Sequence, residues 1–572
     1  MLSEYLDRLE KHKEHYALQY IVEPEKLNAS LNNIQSRKSE PDMHIIKIIR
    51  LLYLSNNNDI NNIDDSTKNR IITTLRDFPY WSHLNEESPN DVIFWSENHI
   101  IMMLSSAHLM KQYLYFHDAT ISKSKNKDTF LTQHHILEEK LLKLYLEGHC
   151  KMAGMYECLS HVYLPYTISA LLNLYDFSID DYIKTLASKI LNIIVHQILL
   201  CTTEEGIATL SASSRSFHRT RTRIRGHNIN ELIYLYTGKG VDGHSDSCQL
   251  TDFLLTTNWV PDESTLHAYL FKGFIQMSVS HEIEDIRGAY CNPDVDSLEC
   301  IPFYWSAGLL YHPDFIKDTK RYMKIKRLGH RKNLWPLRFI PSVLVSSISK
   351  SFSHLTSGQC YLGVTLNVYK NRNTCLSSYE KFQVNSASFQ QLSWIANIEG
   401  IPIWSMSGRG SEGVAGFAMN STYNPYCSQK GKLLVVSYYP PLKYRNEIIR
   451  LFWPSPLFDK EKRENEWWVG QKKGSFVGIF CTKPTLLQTN ESKDAVLETL
   501  YESKTKIPRR CYDKGGGMSW VVIVGSNDEY ESIDAFLSRC QTIDIKEQCI
   551  HNNYTAACHD QIEGDIKITI SN

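Results

Sequence analysis

The apolar residues of this 572-residue chain change their period once, near residue 330, and that change restricts the fold more than any other feature. Upstream they recur at helical spacing over Leu2–Ile21, Met43–Ser55, Ser66–Phe78, Val92–Phe116, His134–Leu146, Tyr163–Tyr175 and Ile183–Ile198. Further helical segments are expected at Asn228–Tyr236, Ser264–Ser280 and Pro313–Lys326, with Asn/Asp-rich turns such as Asn56–Asn62 between helices. The pattern predicts about ten to twelve helices at the lengths and linkers of helical hairpins. From about Leu334 short β-rich runs take over, at Val343–Val345, Tyr361–Tyr369, Gln391–Asn397, Leu433–Tyr439, Phe476–Cys481, Trp520–Val524 and Ile566–Ile570, separated by Gly, Pro, Asn and Ser. The expected organisation is a helical domain over 1–330 and an antiparallel β domain over 331–572. The basic run Lys324, Lys326, Arg327, Arg331, Lys332 lies at the junction and is read most simply as a solvated linker face, or, beside a cleft, as a patch that attracts an acidic sugar.

Charge and cysteine usage narrow the function classes. Lys+Arg 62 against Asp+Glu 63 gives a net charge of −1, so no global field draws the chain to nucleic acid or to a membrane. An anionic ligand must be met by a local patch. The most apolar helix, Asp181–Cys201, is interrupted by Lys184, Lys189, His196 and Gln197, so no membrane span is expected. Met1–Lys13 is charged and lacks a signal-like apolar core, which points to a soluble, cytoplasmic chain. Four glycosylation sequons, at Asn28, Asn420, Asn490 and Asn553, keep secretion open. Fourteen cysteines show neither a Cys-x-x-Cys pair nor zinc spacing, so buried thiols are expected and no metal or cofactor.

Three stretches carry chemistry. Phe94-Trp95-Ser96-Glu97-Asn98-His99 sets a carboxylate, an amide and an imidazole at the mouth of an apolar helix, where each is costly to bury unless it is hydrogen-bonded or used. A capped core helix with a satisfied histidine is the plain alternative. Tyr156-Glu157-Cys158-Leu159-Ser160-His161-Val162-Tyr163-Leu164-Pro165-Tyr166 offers three phenols. Ser211–His227 holds Arg215, Arg219, Arg221, Arg223 and Arg225 with His218 and His227, the densest positive charge in the chain. Guanidinium groups grip carboxylates or sulfates through two parallel hydrogen bonds. Arg215, His218 and Arg219 follow a Ser-rich turn and are the better placed to reach a cleft; Arg221, Arg223 and Arg225 read equally well as a solvated loop.

With these stretches in view, the chain resembles the polysaccharide lyases that join an incomplete (α/α) toroid of helical hairpins to an antiparallel β-sandwich, the heparinase II/III-like, chondroitinase-like and alginate lyase-like group. The resemblance implies that Asn98-His99 matches the Asn-His pair of a toroid helix and that Tyr163 matches the later tyrosine, with Tyr156 and Tyr166 as competitors. It further implies catalytic roles for Arg215 and His218, and substrate contacts from Trp95, Glu97, Tyr156, Tyr166, Arg219, Gln391 and Trp394. The implied partner is an acidic polysaccharide or oligosaccharide cleaved by β-elimination. That reaction removes the proton beside a uronate carboxylate and expels the glycosidic oxygen, so it needs donors where charge develops and a base of suitable basicity. A tyrosine near pKa 10 serves as that base only beside cations. The pattern departs at Ser388–Ala396, where Leu392 stands in place of a sandwich histidine. That departure favours a non-catalytic carbohydrate-binding or scaffold protein on the same fold. A third reading is an inverting hydrolase using Glu97 and Glu157, because toroids also carry two-carboxylate chemistry. The sugar, the mode of cleavage and the oligomeric state are not encoded in any motif.

Overall fold

The computed structural model describes residues 1–16, 24–37, 40–56, 63–80, 95–117, 127–152, 154–160, 163–208, 229–240, 249–279, 282–331, 334–353, 362–380, 392–408, 424–439, 448–483, 486–490, 498–504, 517–550 and 553–571. The first half is helical. Its longer helices are Leu2–Tyr16, Pro24–Ser36, Pro41–Asn56, Asp65–Arg76, Glu97–His117, Lys127–Lys151, Leu164–Phe177 and Asp181–Leu200, and shorter ones follow as far as Ile316–Ile325. Carboxylates start two of them: Asp64 accepts the Thr67 N–H, and Asp180 accepts those of Tyr182 and Ile183. These bonds pair amide groups that a helix leaves open at its first turn.

One buried cation ties three helices together. Arg50, fully buried on Pro41–Asn56, reaches Asp176 at 2.8 Å and Asn173 at 3.0 Å, both on Leu164–Phe177. It also donates to the hydroxyl of Thr256 at 2.6 Å, on Gln249–Thr256. With each partner hydrogen-bonded, the pair fixes helix order inside an otherwise apolar core. Asp181–Leu200 is long and apolar enough to span a membrane by length and composition, but most of it is buried in this core, the position of an ordinary core helix.

The second half is built of antiparallel sheets. An eight-stranded sheet runs in the order β1 (Gly273–Ser278), β2 (Thr365–Asn371), β3 (Thr374–Glu380), β4 (Trp394–Ile398), β5 (Ile401–Gly408), β8 (Ile448–Phe452), β13 (Glu498–Lys504), β12 (Leu486–Asn490). A six-stranded sheet runs β6 (Tyr426–Lys430), β7 (Leu433–Tyr438), β14 (Met518–Ser526), β11 (Ser475–Cys481), β10 (Trp467–Lys472), β9 (Lys460–Glu464). β15 (Asp544–Ile550), β16 (Asn553–His559) and β17 (Ile566–Ser571) form a small third sheet.

Alternation along the strands creates the layers. Leu376, Trp394, Ala396, Ile398 and Ile403 of the first sheet pack against Leu434, Val436, Val477, Ile479, Trp520 and Val522 of the second. The opposite side of the six-stranded sheet, with Val435, Val469, Phe476 and Ile523, is covered by the Ile533–Gln541 helix and the third sheet. Leu366, Val368, Cys375 and Tyr379 face the other way and join the helical core. Lys370, on the same side of β2 as Leu366 and Val368, is buried there. Its ammonium donates to the carbonyls of Leu199 (3.2 Å), Thr202 (3.1 Å), Ala268 (3.1 Å) and Tyr269 (2.9 Å), stitching the sheet to the end of a core helix.

Two expected elements are corrected. Ser264–Ser280 is not one helix: Glu263–His267 and a 3-10 turn at Ala268–Leu270 give way to β1, which pairs with β2 from Gly273↔Lys370 to Ser278↔Thr365. Gly273, at φ +116°, turns the chain in a conformation that a side chain disfavours, and an alternating run follows. Val343–Val345 is not a strand. Leu344 closes a turn onto the Pro341 carbonyl, and Val345 opens the Val345–Ser351 helix. A run this short, preceded by Pro341 and followed by Ser346 and Ser347, has no neighbouring strand to pair with among the described residues.

Candidate functional site

The mouth of the Glu97–His117 helix and the 154–160 turn meet through one carboxylate. Ser96 begins the helix: its carbonyl accepts the Ile100 N–H at 3.0 Å, and its hydroxyl donates to Asn98 Oδ1 at 2.6 Å. That bond orients the Asn98 amide. Its Nδ2, on a residue only 3% exposed, has no hydrogen-bond partner among the described residues. Such a donor is uncommon in a folded core and marks a place where a further acceptor would be favourable.

Glu97 turns the other way. Its carboxylate accepts the backbone N–H of Tyr156 at 2.5 Å and of Glu157 at 3.0 Å, which locks the turn against the helix mouth. Burial pushes the Glu97 carboxyl up to about 8, against the lowering effect of those two N–H groups. Around it lie aromatic groups. The Tyr145 hydroxyl donates to the Glu97 carbonyl at 3.3 Å, and the Tyr156 hydroxyl sits between Met152 Sδ (3.0 Å) and Tyr290 Oη (3.1 Å). His149 Nδ1 lies 2.8 Å from the Gly154 carbonyl. Because a carbonyl only accepts, Nδ1 carries the proton, and Nε2 is left without a partner among the described residues. Burial pulls the His149 imidazole down to about 4 and keeps it neutral.

His99 is governed by Asp42, a buried residue near the start of the Pro41–Asn56 helix, which pairs with its Nδ1. Burial opposes the imidazolium, but the Asp42 charge and hydrogen bond, aided by Glu40 and Glu157, outweigh it and raise the His99 pKa. Asn98 and His99 therefore place a neutral amide donor beside an imidazole that Asp42 biases toward its protonated form. From the sheet side, Tyr379 of β3 donates to the Cys158 carbonyl at 3.3 Å, so the same turn touches both halves of the chain.

The other expected site residues are distributed unevenly. Tyr163, half-buried, precedes the Leu164–Phe177 helix, and its carbonyl accepts the Thr167 N–H at 3.3 Å. Trp95 and Tyr166 are partly buried against the helical core. Tyr156 is a core side chain. Trp394 is fully buried inside the sandwich, its indole N–H bonded to Ser405 at 2.8 Å, and presents no face to a ligand. Leu392 is buried with Ile395, Trp404 and Phe452. Arg215, His218, Arg219 and Gln391 lie outside the described residues. Among the described residues no group of three or more His, Cys, Asp or Glu is arranged to hold a metal ion.

No family model matches this sequence, and no curated protein does. Among solved structures, a crystal structure of heparinase III is similar to it over 93% of this chain and 82% of that one, at 9% identity and a TM-score of 0.26. A second heparinase III is similar over 94% of this chain and 84% of that one, at 9% identity and a TM-score of 0.23. Overlap this loose decides neither the fold nor the chemistry.

Asp42, His149, Tyr290 and Tyr379 escaped the sequence reading. Asp42 looks like an ordinary acid in the first turn of a helix, and its partner lies 57 positions away. Tyr290 and Tyr379 carry no local signal. His149 was detectable in principle, as an imidazole shortly after the buried Leu141, Leu142, Leu144, Tyr145 and Leu146 of an otherwise charged helix.

Proposed function

We propose that this chain is a carbohydrate-active protein that cleaves an acidic, uronate-containing polysaccharide by β-elimination. The observation that carries this is the buried Asn98 amide, whose Nδ2 lacks a partner among the described residues, next to a His99 that Asp42 holds toward its charged form. Together they match what a uronate requires: a preorganised donor and a positive charge where the carboxylate takes up the electrons of the broken C–H bond. In this proposal Tyr163 removes that proton and a phenol returns one to the departing glycosidic oxygen. Arg215, His218 and Arg219 supply further positive charge.

The hydrolase alternative is weaker, because both Glu97 oxygens are engaged by the turn at Tyr156 and Glu157. A non-catalytic carbohydrate-binding protein is the second reading. It is favoured by Leu392, a core side chain where the lyase pattern has a histidine. Product mass separates the alternatives: elimination yields fragments whose summed mass equals that of the substrate, and hydrolysis adds one water per cut. Loss of cleavage in Tyr163→Phe with retention in Glu97→Gln is expected for elimination; the reverse is expected for hydrolysis.

A further inference from the structure

We infer that the face formed by Ile316–Phe352 docks onto an anionic lipid surface. Six of the fourteen exposed large apolar side chains among the described residues fall between Ile325 and Phe352: Ile325, Trp335, Phe339, Val343, Leu344 and Phe352. Phe339 is 70% and Val343 81% exposed. They are held outward. Leu334 and Leu337 are buried, which turns Trp335 and Phe339 to solvent with their rings edge to face at 5.5 Å. Val345 and Ser349 are buried in the same way, and the Ser349 hydroxyl is fixed to the Tyr311 carbonyl. The Lys320 ammonium holds the Ile340 carbonyl, and the Val345–Ser351 helix packs on Ile316–Ile325. Concentrated exposure of this kind marks an interaction surface.

Charge selects the partner. Residues 316–352 contain ten Lys and Arg and a single acid, Asp318, in a chain whose net charge is −1. Arg321, Lys324, Arg327, Arg338 and Lys350 are exposed, and none forms an ion pair with a described residue. A second copy of this chain would bring like charges together. Nucleic acid and acidic polysaccharide suit the cations, but they offer nothing to the aliphatic side chains of Val343 and Leu344. A bilayer of anionic lipid satisfies both: aromatic and aliphatic groups enter the headgroup boundary while basic groups meet the surface charge. This inference is independent of the proposed lyase site.

The test is flotation of the full chain with vesicles of phosphatidylcholine alone and of phosphatidylcholine with phosphatidylserine. Binding to the anionic vesicles only, released by salt, is expected. The double substitution Phe339→Ser with Val343→Ser should weaken it at least about tenfold. Arg338→Ala and Lys350→Ala should each weaken it about fivefold. These side chains are exposed, so thermal unfolding of the variants should match the parent. Failure to float with anionic vesicles, or a double variant that floats like the parent, would overturn the inference. Heparin binding that depends on the same residues, without vesicle binding, would overturn it too and assign the face to an acidic polysaccharide.

Discussion

The Glu97 carboxylate accepts the backbone N–H of Tyr156 at 2.5 Å, joining the mouth of one helix to a turn that lies 59 residues further on. The second oxygen does the same for Glu157. Replacing Glu97 by Ala leaves two buried N–H groups without an acceptor and should cost about 2–4 kcal/mol of stability, read from the urea midpoint. A loss below about 0.5 kcal/mol would show that solvent or another group serves the turn equally well.

The same carboxyl predicts a pH dependence. Its folded-state pKa, pushed up to about 8, exceeds the ordinary 4.5, so the folded form holds the proton more tightly. The stability it contributes is complete below about 4.5 and is lost as pH rises through about 8. Glu97→Gln cannot titrate, so its stability should vary less than the parent's across that window. Parallel curves for the two proteins would contradict the assignment.

His99 titrates in the same sense for a different reason. Asp42 raises its pKa above 6.5, so the contribution of the pair is full below that value and disappears as pH rises through the folded-state pKa. Imidazole titration by NMR should show His99 above 6.5 in the parent and shifted downward in Asp42→Asn. An unchanged titration would mean that Asp42 does not govern the imidazole.

Lys370 offers a test of the junction between helices and sheet. Lys370→Met removes the donor shared by four carbonyls and should destabilise the chain by about 3 kcal/mol. Hydrogen exchange should rise first at Leu199–Thr202 and Ala268–Tyr269. Uniform exchange across the chain would argue that the ammonium is not a local tie.

Much of this architecture is legible in the sequence, because the helical spacing of Ile183–Ile198 reports which side is buried and the unbroken β-rich run Leu433–Tyr438 marks a strand covered on both faces. β1 is not legible. Its six residues sit among helices, and only the distant β2 makes them a strand. The site divides in the same way. Asn98 and His99 stand out as polar groups beside an apolar run, whereas Asp42 and Tyr379 acquire meaning only through partners 57 and 221 positions away. Tyr156 and Trp394, for which the resemblance implies substrate contacts, are both buried, and a matched position alone does not tell an aromatic that stacks on sugar from one that fills a core.

The most direct measurement is ultraviolet absorbance of the unsaturated uronate, after incubating the purified chain with heparan, chondroitin, hyaluronan, alginate and polyglucuronate. A rise with one of these substrates is predicted, abolished in Asn98→Ala and in Tyr163→Phe. No rise with any of them, alongside measurable binding to one, would contradict elimination and leave a carbohydrate-binding protein as the better account.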